Sequence, residues 1–214
     1  MERSEFLARV KIAQSAAILP DHPAEDPGGL VPELPEVDLV ERFVEVAGKM
    51  AAEVHTEPVD QVIHGVIERY GIDNYMSWDA DRIDGLDRLP DALHRIITET
   101  PRGSEARTEH NAGYMDCQLG ITGAEAAFAE TGTIVVRSGP GQPRMASLVP
   151  LVHVAVLRRE RIFRSASHWA ADPSARMGDG SNVVFITGPS KTADIESIVT
   201  LGVHGPKHLH IALV

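Results

Sequence analysis

Apolar runs of two different periods alternate along this chain, and that alternation constrains the fold more than any other feature. Val59, Val62, Ile63, Val66, Ile67 and Tyr70 repeat at helical spacing, and Pro58 ahead of them suits a first helical position. Leu39, Phe43, Val46, Ala47, Met50 and Val54 mark an earlier helix face. Strand-like runs stand at Val54–Thr56, Ile72–Trp78, Met115–Ile121, Ile134–Arg137, Val152–Leu157, Val183–Thr187 and Leu209–Val214. Further helices are predicted behind the capping-box pattern Thr122-Gly123-Ala124-Glu125, continuing through Ala129, and behind Pro143 as far as Leu148. Ile162–Trp169 also reads as helix, and Pro90–Ile97 as a helix or a helix running into a strand. Strands alternating with helices through right-handed crossovers imply an α/β fold. The expected form is a three-layer α/β/α sandwich around a mostly parallel, Rossmann-like sheet.

Two segments break the pattern. Pro20–Pro35 contains seven Pro and Gly breakers and reads as an irregular arm behind a short helix carrying Phe6, Leu7, Val10 and Ala13. Residues 1–36 therefore form a helix and arm, and residues 37–214 the α/β domain. Thr100–Gly113 is polar without an apolar period, as a surface loop or mobile lid would be, and Asp172–Asn182 is a second polar loop.

Composition narrows the partners. With 43% apolar and 24% charged residues in 214, the chain has the balance of a soluble globular domain. Its net charge of -11 repels phosphate backbones and argues against nucleic acid and anionic membrane, though not against a local basic site for a small anion. The single cysteine, Cys117, allows no internal disulfide and no cysteine-rich zinc or iron–sulfur site within this chain; lying in an apolar run, it reads as packing. No apolar run reaches the roughly 20 residues needed to span a bilayer, and the start Met1-Glu2-Arg3-Ser4-Glu5 lacks secretory features, so the cytoplasm is the expected compartment.

Two loops are expected on a binding rim beyond the carboxyl ends of the strands. Ser138-Gly139-Pro140-Gly141-Gln142 follows a strand, with Arg144 able to supply charge, but it lacks the third glycine of a dinucleotide fingerprint. Gly188-Pro189-Ser190-Lys191-Thr192 follows the next-to-last strand and is expected to open a short helix. A lysine at a helix N-terminus is unfavourable unless an anion sits there, whereas Asp194 suits a first turn. Either loop also reads as a plain turn, with Ser190 or Thr192 as a helix cap. Glu130, between Ala129 and Thr131-Gly132-Thr133, is a candidate general base or nucleophile, or simply a solvated loop acid. Near the C-terminus stand His204, His208 and His210, the last two on one strand face. Strand-spaced histidines can bind a transition metal, but no acidic or cysteine ligand lies close in sequence, and no metal is assigned. His153 begins an apolar strand and reads as a satisfied core residue.

Gly120-Ile121-Thr122-Gly123-Ala124-Glu125, Ala129–Thr133, Ser138–Gln142, Pro150 with His153, Thr187–Glu196 and Gly202–Pro206 together carry a resemblance. The chain is similar, from about Val37 to Val214, to the lactate-utilization protein C family, the single-domain branch of proteins with the LUD domain. The resemblance implies a fold like ribose-5-phosphate isomerase, glucosamine-phosphate isomerase and the CoA transferases. It also implies a part in oxidising L-lactate to pyruvate within a three-protein system whose other members carry the iron–sulfur clusters. The expected role is a cofactor-free subunit that binds iron–sulfur partner proteins and a small anion, with homo-oligomerisation left open. Thr131, Gly132, Thr133, Ser138, Gly139, Gly141, Gln142, Arg144, Gly188, Ser190, Lys191, Thr192, Asp194 and His204 are the candidate ligand-binding residues. The competing reading is a stand-alone enzyme on a sugar phosphate, carboxylate or acyl-CoA, with Glu130 as base or, by analogy with CoA transferases, nucleophile.

Overall fold

A computed structural model describes residues 2–16, 36–86, 93–96, 114–175, 180–193 and 199–214. The proline-rich arm, the whole Thr100–Gly113 loop and Asp194 lie outside the described residues. The first helix, α1 (Arg3–Ala16), is present, and Phe6, Leu7, Val10 and Ile12 on it are exposed.

The domain then runs through α2 (Leu39–Lys49), β1 (Glu53–His55), α3 (Val59–Tyr70), β2 (Asn74–Ser77), β3 (His94–Arg95), β4 (Leu119–Ala124), β5 (Ala126–Phe128) and β6 (Thr133–Ser138). It continues with β7 (Val152–Leu157), β8 (Ile162–Phe163), α4 (Ala166–Ala171), β9 (Asn182–Ile186), β10 (Lys191–Ala193), β11 (Val199–Leu201) and β12 (His208–Leu213). Six strands form a wholly parallel sheet in the order β1-β12-β7-β4-β2-β3. The architecture is thus α/β with a parallel central sheet, as the alternation of periods implies. Because β12 lies between β1 and β7, the C-terminal strand closes against the first strand of the domain.

The helices form where their patterns require. Asp38 caps α2 by accepting from the Val40 and Glu41 N–H groups at 2.9 and 3.0 Å. Gly71, at φ 63°, ends α3 in the left-handed conformation. Val59, Val62, Ile63 and Val66 of α3 are all buried, each stabilising the fold by roughly 1.5–3 kcal/mol relative to exposure. On the opposite side, β4 lies so close to the 3-10 turn Arg144–Ser147 that a Cβ on Gly120 would stand 1.8 Å from the Ala146 carbonyl oxygen. Glycine is therefore required there.

Four local expectations fail. Thr122–Ala129 is not a helix: β4 and β5 carry the chain from the parallel sheet into a second sheet ordered β8-β5-β6-β9. The capping-box partners are engaged elsewhere, Thr122 with His153 at 2.9 Å and Glu125 in an ion pair with Arg137 of β6. Pro143 opens only the single 3-10 turn, and Ile162–Trp169 splits into β8 and α4. Finally, Lys191–Ala193 is not the start of a helix but a strand paired antiparallel with Val199–Leu201. Thr192, Val199 and Thr200 are β-branched and favour that outcome.

Candidate functional site

Successive strand residues face opposite sides, so β12 and its neighbours divide their side chains between two layers. Leu209 and His153 are register partners and face one cavity; His210, one residue on, lines another.

The first cavity, about 280 Å³, is walled by Ser147, Leu148, His153, Phe185–Lys191, His204–Pro206 and Leu209. Its rim is a backbone weave. The Ser190 N–H donates to the Pro206 carbonyl at 2.9 Å, the Gly202 N–H to the Ser190 carbonyl at 3.0 Å, and the His204 N–H to Ser190 Oγ at 3.3 Å. Gly188, at φ 85°, is pressed against α2's end, where an added Cβ would stand 2.2 Å from the Met50 carbonyl oxygen. Lys191 is exposed, its Nζ donating to that same carbonyl at 3.3 Å. Since Lys191 begins a strand, the conflict of a lysine with a helix N-terminus does not exist, and the turn's Ser190 N–H is not free. Lys191 and His204 nevertheless line one concavity.

At the cavity wall His153 is fully buried. Its Nε2 shares a hydrogen bond with Thr122 Oγ1 at 2.9 Å, while its Nδ1 is buried without a partner among the described residues. Burial pushes its pKa down to about 3, with His210 adding to the effect, so the ring is neutral. The sequence reading of a satisfied core histidine is half right: His153 is core, and it is not satisfied.

Other candidates are dispersed. Thr131, Thr133 and Thr187 form a chain of hydroxyl contacts, each 2.7 Å, that reaches the first cavity at Thr187. Gly132 turns against the Ala47 backbone of α2. Glu130 is half-exposed, lies 3.9 Å from Arg164 Nε, and lines neither cavity. Ser138 is buried, and Gly139 and Gln142 bond each other's backbone in a tight turn. Gly141 accepts from the Asp79 N–H at 2.9 Å, just beyond the carboxyl end of β2, and Arg144 is exposed. Gly188 instead meets Met50, which precedes β1. The two loops expected to share a rim therefore lie at opposite ends of the parallel sheet, and the 188–191 segment lies at the amino end. Thr192 sits in β10 and does not line the cavity.

The second cavity, about 340 Å³, opens beside α3 and is lined by His55, Glu57, Gln61, Val62, Gly65, Val66, Arg69 and His210. His210 is joined there not by His204, which belongs to the other cavity, but by His55 and Glu53 of β1. His55 Nε2 stands 2.9 Å from His210 Nδ1, and Glu53 Oε2 stands 4.0 Å from it. Burial lowers the His210 pKa to about 4, against the opposing pull of Glu53. His208 leaves the group and packs on the Tyr70 ring, centroids 4.7 Å apart. Sequence reasoning missed His55 and Glu53, although Glu53-Val54-His55 repeats the period-2 polar spacing of His208-Leu209-His210.

These features define an α/β domain with a parallel sheet and a small cavity on each side of it. The LUD domain profile matches residues 40–214, and the chain belongs to the LUD domain family. It is 31% identical over 178 residues to lactate utilization protein C of Halalkalibacterium halodurans, covering 78% of this chain and 76% of that one. It is 30% identical over 186 residues to the protein of the same name from an Exiguobacterium species, covering 81% and 78%. The crystal structure of a DUF162 family protein from Deinococcus radiodurans shares the fold, with TM-score 0.57 and 21% identity over 85% of this chain and 99% of that one. Among the described residues no helix is long and apolar enough to cross a membrane.

Proposed function

We propose that this chain serves lactate utilization as a cluster-free subunit that binds a small carboxylate of the lactate–pyruvate type and works beside iron–sulfur partner proteins. Relatives of that name support the pathway. The ligand class rests on one observation: Lys191, His204 and His153, whose Nδ1 has no partner among the described residues, line a single cavity of about 280 Å³. A carboxylate there would meet the lysine charge, and the 2-oxygen of the same ligand would pair with His153. The volume suits a compact metabolite rather than a nucleotide cofactor. Glu130 lies outside this cavity, so the proposal gives it no chemical role.

The test is the melting temperature of the purified chain titrated with lactate, pyruvate and phosphate. Ligand at a hundredfold excess over its Kd stabilises a folded protein by about 2.7 kcal/mol. Lactate or pyruvate is expected to raise the melting temperature, and Lys191→Ala to weaken binding about tenfold. Equal response to phosphate, or no response to any, would remove the carboxylate reading.

A further inference from the structure

The geometry points to a divalent transition-metal site formed by Glu53, His55 and His210, on the face of the sheet opposite the carboxylate cavity. The three residues come from two adjacent parallel strands. Glu53 and His210 are register partners, and His55 follows Glu53 by two positions, so all three face α3. Their donor atoms lie within 4.8 Å of one another. Two nitrogens about 2.1 Å from one tetrahedral ion stand about 3.4 Å apart, so the 2.9 Å between His55 Nε2 and His210 Nδ1 needs the rings to part by about 0.5 Å to admit zinc. Two imidazoles and a carboxylate with room for further ligands suit zinc or a neighbouring late first-row ion, whereas magnesium and calcium prefer all-oxygen sites.

The surroundings support the same assignment. Tyr70 Oη lies 3.2 Å from His210 Nε2, placed to accept its proton and leave Nδ1 as the ligating nitrogen. Arg69 donates to Glu53 Oε2 at 2.5 Å and fixes the carboxylate. The guanidinium opposes a cation and holds Oε2, the oxygen 4.0 Å from His210 Nδ1, so Glu53 ligates through Oε1 after a turn of its carboxylate or gives up Arg69. The adjoining cavity of about 340 Å³ leaves space for water or a small ligand on the remaining coordination positions. A hydrogen bond between His55 and His210 alone would account for those two rings, but not for the carboxylate and the open cavity converging on them.

The experiment uses the full chain, tag-free and chelator-stripped, titrated with Co²⁺ by visible absorption and with Zn²⁺ by calorimetry. One ion per chain is expected. His55→Ala, at a half-buried position that leaves the core intact, is expected to weaken binding at least tenfold, as is Glu53→Gln, with circular dichroism unchanged. His64→Ala, on the exposed face of α3, is expected to bind as the parent does. Absence of stoichiometric binding, or undiminished affinity in both His55→Ala and Glu53→Gln, would overturn the assignment.

Discussion

His153 and His210 stand on adjacent strands of one sheet, buried to 0% and 1% exposure, and they differ in how burial is offset. His210 is held by His55 and Tyr70, with Glu53 close by. Among the described residues His153 has only Thr122, and one of its nitrogens has no partner. Both ring nitrogens of His210 meet side chains, whereas only one of His153 does. A buried polar group left without a partner costs roughly 1–3 kcal/mol, and that cost is what supports the proposed ligand contact at His153.

The largest expected effect separates these two residues. His210→Ala opens a cavity and strips partners from His55 and Tyr70, and should lower stability by about 3 kcal/mol in urea unfolding.

The pH dependence comes next. Both histidines have folded pKa values below the unfolded value near 6.5. As pH falls below that value the unfolded chain takes up protons that the native state refuses, so stability is lost on acidification until the native rings themselves titrate, near 4 for His210 and 3 for His153. Between pH 6 and 5 the loss should be roughly 2 kcal/mol for the pair. Replacing either histidine should remove about half of that slope; an unchanged slope would show that the ring is not buried neutral.

Gly188→Ala should cost about 1–2 kcal/mol, through its positive φ and the clash with Met50, and should weaken carboxylate binding without touching Co²⁺ binding. The smallest effect belongs to the double change His153→Leu with Thr122→Val. Removing both partners of one buried bond and the unpartnered nitrogen should shift stability by less than about 1 kcal/mol, in either direction, while abolishing carboxylate binding.

Local pattern made α2, α3 and the central strands legible, because buried helix faces and fully buried parallel strands leave plain periods in the sequence. It failed at Thr122–Ala129, where small and β-branched residues allow either helix or strand and the choice depends on Arg137 and His153, distant in sequence. It failed again at Lys191, whose strand forms only because Val199–Leu201 pairs with it. At the sites, Lys191, Ser190, Gly188 and His204 do come together, whereas the Ser138–Gln142 loop lies at the other end of the sheet. The Glu53–His55–His210 group could not be read locally at all. It exists because the last strand of the chain inserts beside β1, a consequence of topology and not of any motif.

The most direct measurement is the ring resonances of the ten histidines, followed by NMR in the ¹⁵N-labelled chain as lactate is added. The expected result is that His153 and His204 move together and saturate while His55 and His210 stay in place. Movement of His55 and His210 with His153 unmoved, or no movement at saturating lactate, would contradict the division of the two faces into a carboxylate site and a separate metal site.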